Sequence, residues 1–200
     1  MRIVSLRPLN NKRYMVTLDS GENFALYKGE LAKYNIREDD ILPDSVYEAI
    51  MNEILPKRAR LRGLNLLKSR PYTEWQLRKK YSEGGYPDRI ADSAIEYLKG
   101  LHLIDDAEYC RIFLTYQSSS KSRKRMIMDL QNKGLEKDVI FSALASLEEE
   151  GDMSDEEELI KKLLAKKHYD KDNADYMSKQ KIRQYLYGKG FGIDCINRLT

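Results

Sequence analysis

The sequence predicts a mostly α-helical protein: three tandem three-helix repeats in an elongated array, preceded by a small N-terminal segment that contains β-strands. Three observations predict it. β-rich runs are confined to the first 27 residues. From Ala59 onward apolar residues recur only at helical spacing. And one pattern of cap, two apolar residues and a stop glycine occurs three times, at offsets of 49 and 56 residues.

The strands come first. Ile3–Leu6 and Tyr14–Leu18 are β-rich and separated by Asn10-Asn11-Lys12, and Phe24–Tyr27 follows a turn at Asp19–Glu22. So short a meander needs a partner to pack on. A short helix near Glu30–Tyr34 and a longer one from Asp44 to about Leu55, entered through Pro43, are the neighbours expected.

The repeats follow. Thr73, Ser122 and Ser178 are the expected N-caps of their second helices. Four residues on stand Leu77, Met126 and Ile182, and four further Tyr81, Leu130 and Leu186. Next come Gly85, Gly134 and Gly190, each followed by an apolar residue, Tyr86, Leu135 or Phe191. Ile90, Val139 and Cys195, then Ala94, Ala143 and Leu199, continue the match into a third helix. First helices are expected at Ala59–Ser69, Asp106–Gln117 and Asp155–Lys167, and the seven extra residues of the last copy fall around Lys167–Tyr176. The implied division is residues 1–56 for the β-containing segment, then repeats at 57–104, 105–150 and 151–200, the last truncated. One such unit buries little surface alone, so neighbours are expected to stack, and a monomer follows most simply.

Composition narrows the function classes. The chain has 200 residues, 42% hydrophobic, enough for a core. No run approaches the roughly 18 apolar residues of a membrane span, and the N-terminus lacks an apolar signal core, so the secreted and integral membrane classes recede and no membrane partner is expected. Cys110 and Cys195, like His102 and His168, lie far apart, which argues against a disulfide scaffold or a local zinc module. No GxxxxGK, GxGxxG, GxSxG, HExxH or CxxC motif occurs. Cys110 reads as a buried thiol, Cys195 as a repeat-core residue and His102 as a corner residue. No catalytic residue, metal ligand or cofactor is nominated.

Charge runs in blocks. Residues 57–99 hold 11 basic and 5 acidic residues, and 159–200 hold 10 and 4. Between them, residues 148–158 hold 8 acidic and no basic ones. Such segregation fits contact with a polyanion. The acidic run itself reads as a solvated link, with Glu156–Glu158 favourable at a helix start. Lys121-Ser122-Arg123-Lys124-Arg125 opens the second helix of repeat two, where cations oppose the helix dipole. A bound anion would supply the missing stabilisation. On a helical wheel Lys124 and Arg125 point outward, Lys79 and Lys181 share the polar side of their own helices, and Arg78 and Arg183 lie nearer the edge. The candidate contact residues are therefore Arg78, Lys79, Lys121, Arg123, Lys124, Arg125, Lys181 and Arg183. Trp75 falls on the polar side too, open either to stacking on a base or to packing on an adjacent helix. DNA phosphates and an acidic protein surface would use these same side chains.

At these residues the sequence resembles the RecX family, bacterial regulators of the RecA recombinase. Arg70-Pro71-Tyr72-Thr73-Glu74-Trp75-Gln76-Leu77-Arg78-Lys79-Lys80 is similar to the family's R-x-x-S/T-E-x-x-L-x-x-K motif, which ends in K-G-F/Y. Leu101–Tyr109 is similar to its L-G-L-I/L-D/N-D-x-x-F/Y segment, and Lys133-Gly134-Leu135 and Lys189-Gly190-Phe191 resemble the ends of repeats two and three. The resemblance covers about residues 57–200 and implies a non-enzymatic cytoplasmic modulator. It would bind the groove of the RecA–DNA filament, inhibit strand exchange and ATPase activity, and touch single- or double-stranded DNA. From the residues alone, the competing expectation is a stand-alone nucleic-acid binder of helix-turn-helix type.

Overall fold

Alternation of apolar and polar residues builds three strands, β1 (Ile3–Pro8), β2 (Arg13–Leu18) and β3 (Asn23–Tyr27), paired antiparallel in the order β1-β2-β3. The computed structural model describes residues 1–200 in two units, Met1–Asp105 and Asp106–Thr200. In the sheet Leu6, Val16 and Phe24 stand opposite one another, and Ile3 pairs with Leu18. Ile3, Val16, Leu18, Phe24 and Leu26 are buried together. A register shift between Ile3 and Ser5 leaves Val4 exposed.

Helix α1 (Lys28–Lys33) is followed by α2 (Asp44–Ala49), α3 (Leu55–Ser69), α4 (Glu74–Glu83) and α5 (Asp88–Gly100). Their apolar faces join the sheet in one core that includes Leu55, Ala59, Leu77, Tyr81, Ile95 and Leu98. Arg58 of α3 ties the layers together. It donates to the Ala25 carbonyl at 3.0 Å, pairs with Glu30 and lies over the Tyr27 ring, 4.6 Å from its centroid. At the same free edge of β3, the Ala25 N–H donates to the Gly85 carbonyl at 2.8 Å. A Cβ on Gly85 would come within 2.7 Å of the Ala25 Cβ, so this close approach requires glycine.

The second unit comprises α6 (Asp106–Gln117), α7 (Arg123–Gln131) and α8 (Lys137–Glu149), then α9 (Glu156–Lys166), α10 (Tyr176–Gly188) and α11 (Ile193–Leu199). It holds two separate cores. One gathers Cys110, Leu114, Met126, Leu130, Leu135, Ile140 and Leu147. The other gathers Leu159, Ile160, Leu164, Ile182, Leu186, Phe191 and Ile196.

The repeat pattern has a common physical cause. Gly85, Gly134 and Gly190 have φ of +73°, +84° and +88°. At each corner the following apolar residue donates its N–H back into the helix: Tyr86 to Tyr81 at 3.1 Å, Leu135 to Leu130 at 3.2 Å, Phe191 to Leu186 at 3.3 Å. This is the left-handed helix stop in which the residue past the glycine packs on the last turn. All six of those side chains are buried.

Three local expectations differ from the structure. The helix that starts at Asp44 does not end near Leu55: Ile50–Ile54 forms a π-helical turn that carries α2 into α3, and Pro56 lies just past that turn. The cap of α10 is Asp175, whose carboxylate accepts the Ser178 N–H at 2.7 Å; Ser178 lies one turn inside. In the third helices of repeats two and three, burial falls one residue later, on Ile140 and Ile196, while Val139 and Cys195 are half-buried. No helix is long and apolar enough to cross a membrane.

Candidate partner-binding surface

Capping brings the basic residues of repeat two to one place. Ser122 caps α7 by accepting the Arg125 N–H, and its hydroxyl donates to the Lys189 carbonyl at 2.7 Å. The glycine corner between α10 and α11 is thereby seated on the start of α7, where a Cβ on Gly190 would lie 2.8 Å from the Ser122 Oγ. Lys121, Arg125 and Lys189 line a cavity of about 470 Å3 at this junction.

The cations there have different partners. Asp129 holds both the Lys121 ammonium, at 2.7 Å, and the Arg125 guanidinium, at 3.1 Å. Arg123 lies 2.8 Å from the Glu148 carboxylate, while its backbone N–H donates to Glu156 at 2.6 Å. Lys124 has no carboxylate partner and lies 5.9 Å from the centre of the Tyr187 ring. The acidic run is therefore not merely a solvated link. Glu150 also grips Arg111 at 2.9 Å, and Glu157 meets Arg198 at 2.8 Å. Arg111 lowers the Glu150 carboxyl below its usual range, with help from Ser146.

On α4, Arg78 pairs with Glu74 at 2.8 Å and with Asp92, and Asp92 is the chief cause of a guanidinium pKa above its usual value. Lys79 is free of carboxylates and sits 5.5 Å from the centre of Trp75, which is 45% exposed. On α10, Lys181 is exposed and forms no ion pair, and the half-buried Arg183 donates to the Thr200 Oγ1 at 2.9 Å. Lys181, Lys167 and His168 line a second cavity of about 480 Å3, built by the seven extra residues of the third repeat.

The structure thus places Arg123, Lys124 and Arg125 on the first turn of α7 and Lys121 just ahead of its cap. It leaves Lys79, Lys124, Lys181 and Arg183 as the candidates without an ion-paired carboxylate, and of these Arg183 is held by the Thr200 hydroxyl. Exposed ion pairs are worth only about 0.2–1 kcal/mol, so Arg78 and Arg123 remain exchangeable. Sequence reasoning missed one grouping: the Tyr185 ring has Lys167 at 5.0 Å and Lys189 at 5.1 Å. The spacing of four between Tyr185 and Lys189 is a signal that could have found half of it.

Cys110 is fully buried, and burial, with Asp106 adding to it, pushes its thiol up to about 11. No group of three or more His, Cys, Asp or Glu residues could hold a metal ion.

Comparison with known proteins bears on these residues. Residues 59–98 match the family model for the first three-helix domain of RecX, and residues 155–200 that for its third. The chain is 27% identical to a regulatory protein RecX of Finegoldia magna, over 99% of this chain and 98% of that one. It is 26% identical to that of Clostridium perfringens strain 13, over 98% and 92%. With that of Mycobacterium ulcerans it shares 30% identity over 59% of this chain and 69% of the other. A crystal structure of regulatory protein RecX superposes with a TM-score of 0.62 at 24% identity, over 98% of this chain and 97% of that one.

Proposed function

The chain belongs to the RecX family, and on that premise we propose that it is a regulatory protein that binds the RecA–DNA filament and limits RecA's strand exchange and ATPase activity. It does so in the cytoplasm, as a monomer and without a reaction of its own, through its helical repeats, which engage the filament groove. The observation that carries the reading is the start of α7: three basic side chains on its first turn and Lys121 just ahead of the cap, where a helix start favours anions. Lys124 and Lys79, which have no carboxylate partner, are the contacts that need no rearrangement. Reversing both, Lys79→Glu with Lys124→Glu, is expected to weaken filament binding at least ten-fold by the usual size of lost charge contacts, with the helical signal and melting temperature unchanged. Unaltered affinity would remove these residues from the contact surface.

A second reading is favoured by Tyr185 with its two lysines, an arrangement suited to a stacked base beside phosphates. It makes the protein a stand-alone nucleic-acid binder. That reading requires tight DNA binding without RecA and a steep decline with salt; a helix-turn-helix regulator would also distinguish its site from scrambled DNA.

A further inference from the structure

The first turn of α7 is already occupied by anions. Glu156 accepts the Arg123 N–H at 2.6 Å, and Glu148 lies 2.8 Å from the guanidinium of the same residue. Both carboxylates come from the stretch 148–158, in which 8 residues are acidic and none is basic. Resting on the reading of this turn as a contact surface, we propose that the acidic run is a displaceable internal cover, whose carboxylates the partner's oxyanions must replace.

Burial separates the contacts that can exchange from those that cannot. Arg123 and Glu148 are 47% and 43% exposed, in the range where ion pairs contribute little and open readily. Asp129, which clamps Lys121 and Arg125, is only 15% exposed and lies within α7 itself, so that clamp persists. The cover is tethered at both ends. Glu150 is bound to Arg111 on α6, and Glu157 to Arg198 on α11. A released Glu148 or Glu156 therefore stays close and competes at high local concentration. The apparent affinity for the partner is lowered by the fraction of molecules in which the turn is covered. Added salt weakens cover and partner alike, so binding should fall less with salt than the number of cations implies.

The test compares two double variants that change net charge equally. Glu148→Gln with Glu156→Gln removes the covering carboxylates. Glu149→Gln with Glu158→Gln alters exposed neighbours in the same run that form no ion pair. Affinity is measured for RecA filaments on single-stranded DNA and, separately, for inorganic polyphosphate, which needs no RecA. The covering-pair variant is expected to bind both about five-fold tighter than the control variant, with a steeper loss in salt. In the free protein, Glu156→Gln alone should move the Arg123 amide resonance, and Glu158→Gln should not. Equal affinities of the two double variants for polyphosphate, or an unmoved Arg123 amide, would overturn the proposal. If polyphosphate separates the variants while none of them binds RecA, the cover stands and the RecA reading falls.

Discussion

His102 shows how one residue can be in the expected place and still work against the fold. It ends α5 with φ of +53°, its N–H donating to the Lys99 carbonyl at 2.8 Å, and the Leu103 N–H closes on Leu98 at 3.0 Å. The geometry is that of Gly85, Gly134 and Gly190, but with a side chain that disfavours it. The motif that this segment resembles carries glycine there. His102→Gly is expected to raise stability by about 1 kcal/mol, read as a higher melting temperature; a lower one would mean that the imidazole makes a contact worth more than the strain. The three glycine corners were legible in the sequence because their requirement is local: a left-handed residue, then an apolar one to cover the last turn. The α10 cap was not legible. Asn173, Asp175 and Ser178 are all capping residue types, and the seven extra residues remove the register that would choose among them.

At the scale of elements, close approach replaces capping as the constraint. Gly63 sits in the middle of α3, where alanine would ordinarily gain about 1 kcal/mol. A Cβ there would lie 2.4 Å from the Tyr81 Oη and 2.5 Å from the Leu98 Cδ1. Tyr81 has little room to yield: it is fully buried, donates to the Ala59 carbonyl at 3.0 Å and meets Tyr86 edge-on at 5.6 Å. Burial, with Tyr86 adding to it, pushes its hydroxyl up to about 12, so it remains a neutral donor across the physiological range. Gly63→Ala should therefore lose about 2 kcal/mol in urea unfolding, and a gain would show that α3 slides easily against α4 and α5. The same scale explains which part of the candidate surface could be read in advance. Trp75 with Lys79, and Tyr185 with Lys189, are four residues apart on one helix and follow from spacing. Lys124 with Tyr187 spans two repeats and exists only because the Gly190 corner docks on Ser122. Arg123 with Glu148 and Glu156 likewise depends on how the link between repeats folds back, which no periodicity encodes.

For the whole molecule, the arrangement of cores sets an order of stability. The first unit has one continuous core shared by sheet and helices, whereas the second has two smaller ones joined by polar contacts. Separate small cores open more readily. Amides of α9–α11 are thus expected to exchange with solvent faster than those of α3–α5, and uniform exchange across both units would argue for stronger coupling between repeats. Such an order suits a regulator whose third repeat adjusts to a partner while the first holds its shape.

Regulation of RecA through the basic helix starts would register in the ATPase rate of RecA on single-stranded DNA as this protein is titrated in. Inhibition by the native chain is expected, with a much weaker effect of the Lys79→Glu, Lys124→Glu variant at the same concentrations. An unchanged rate with the correctly folded native chain would contradict it.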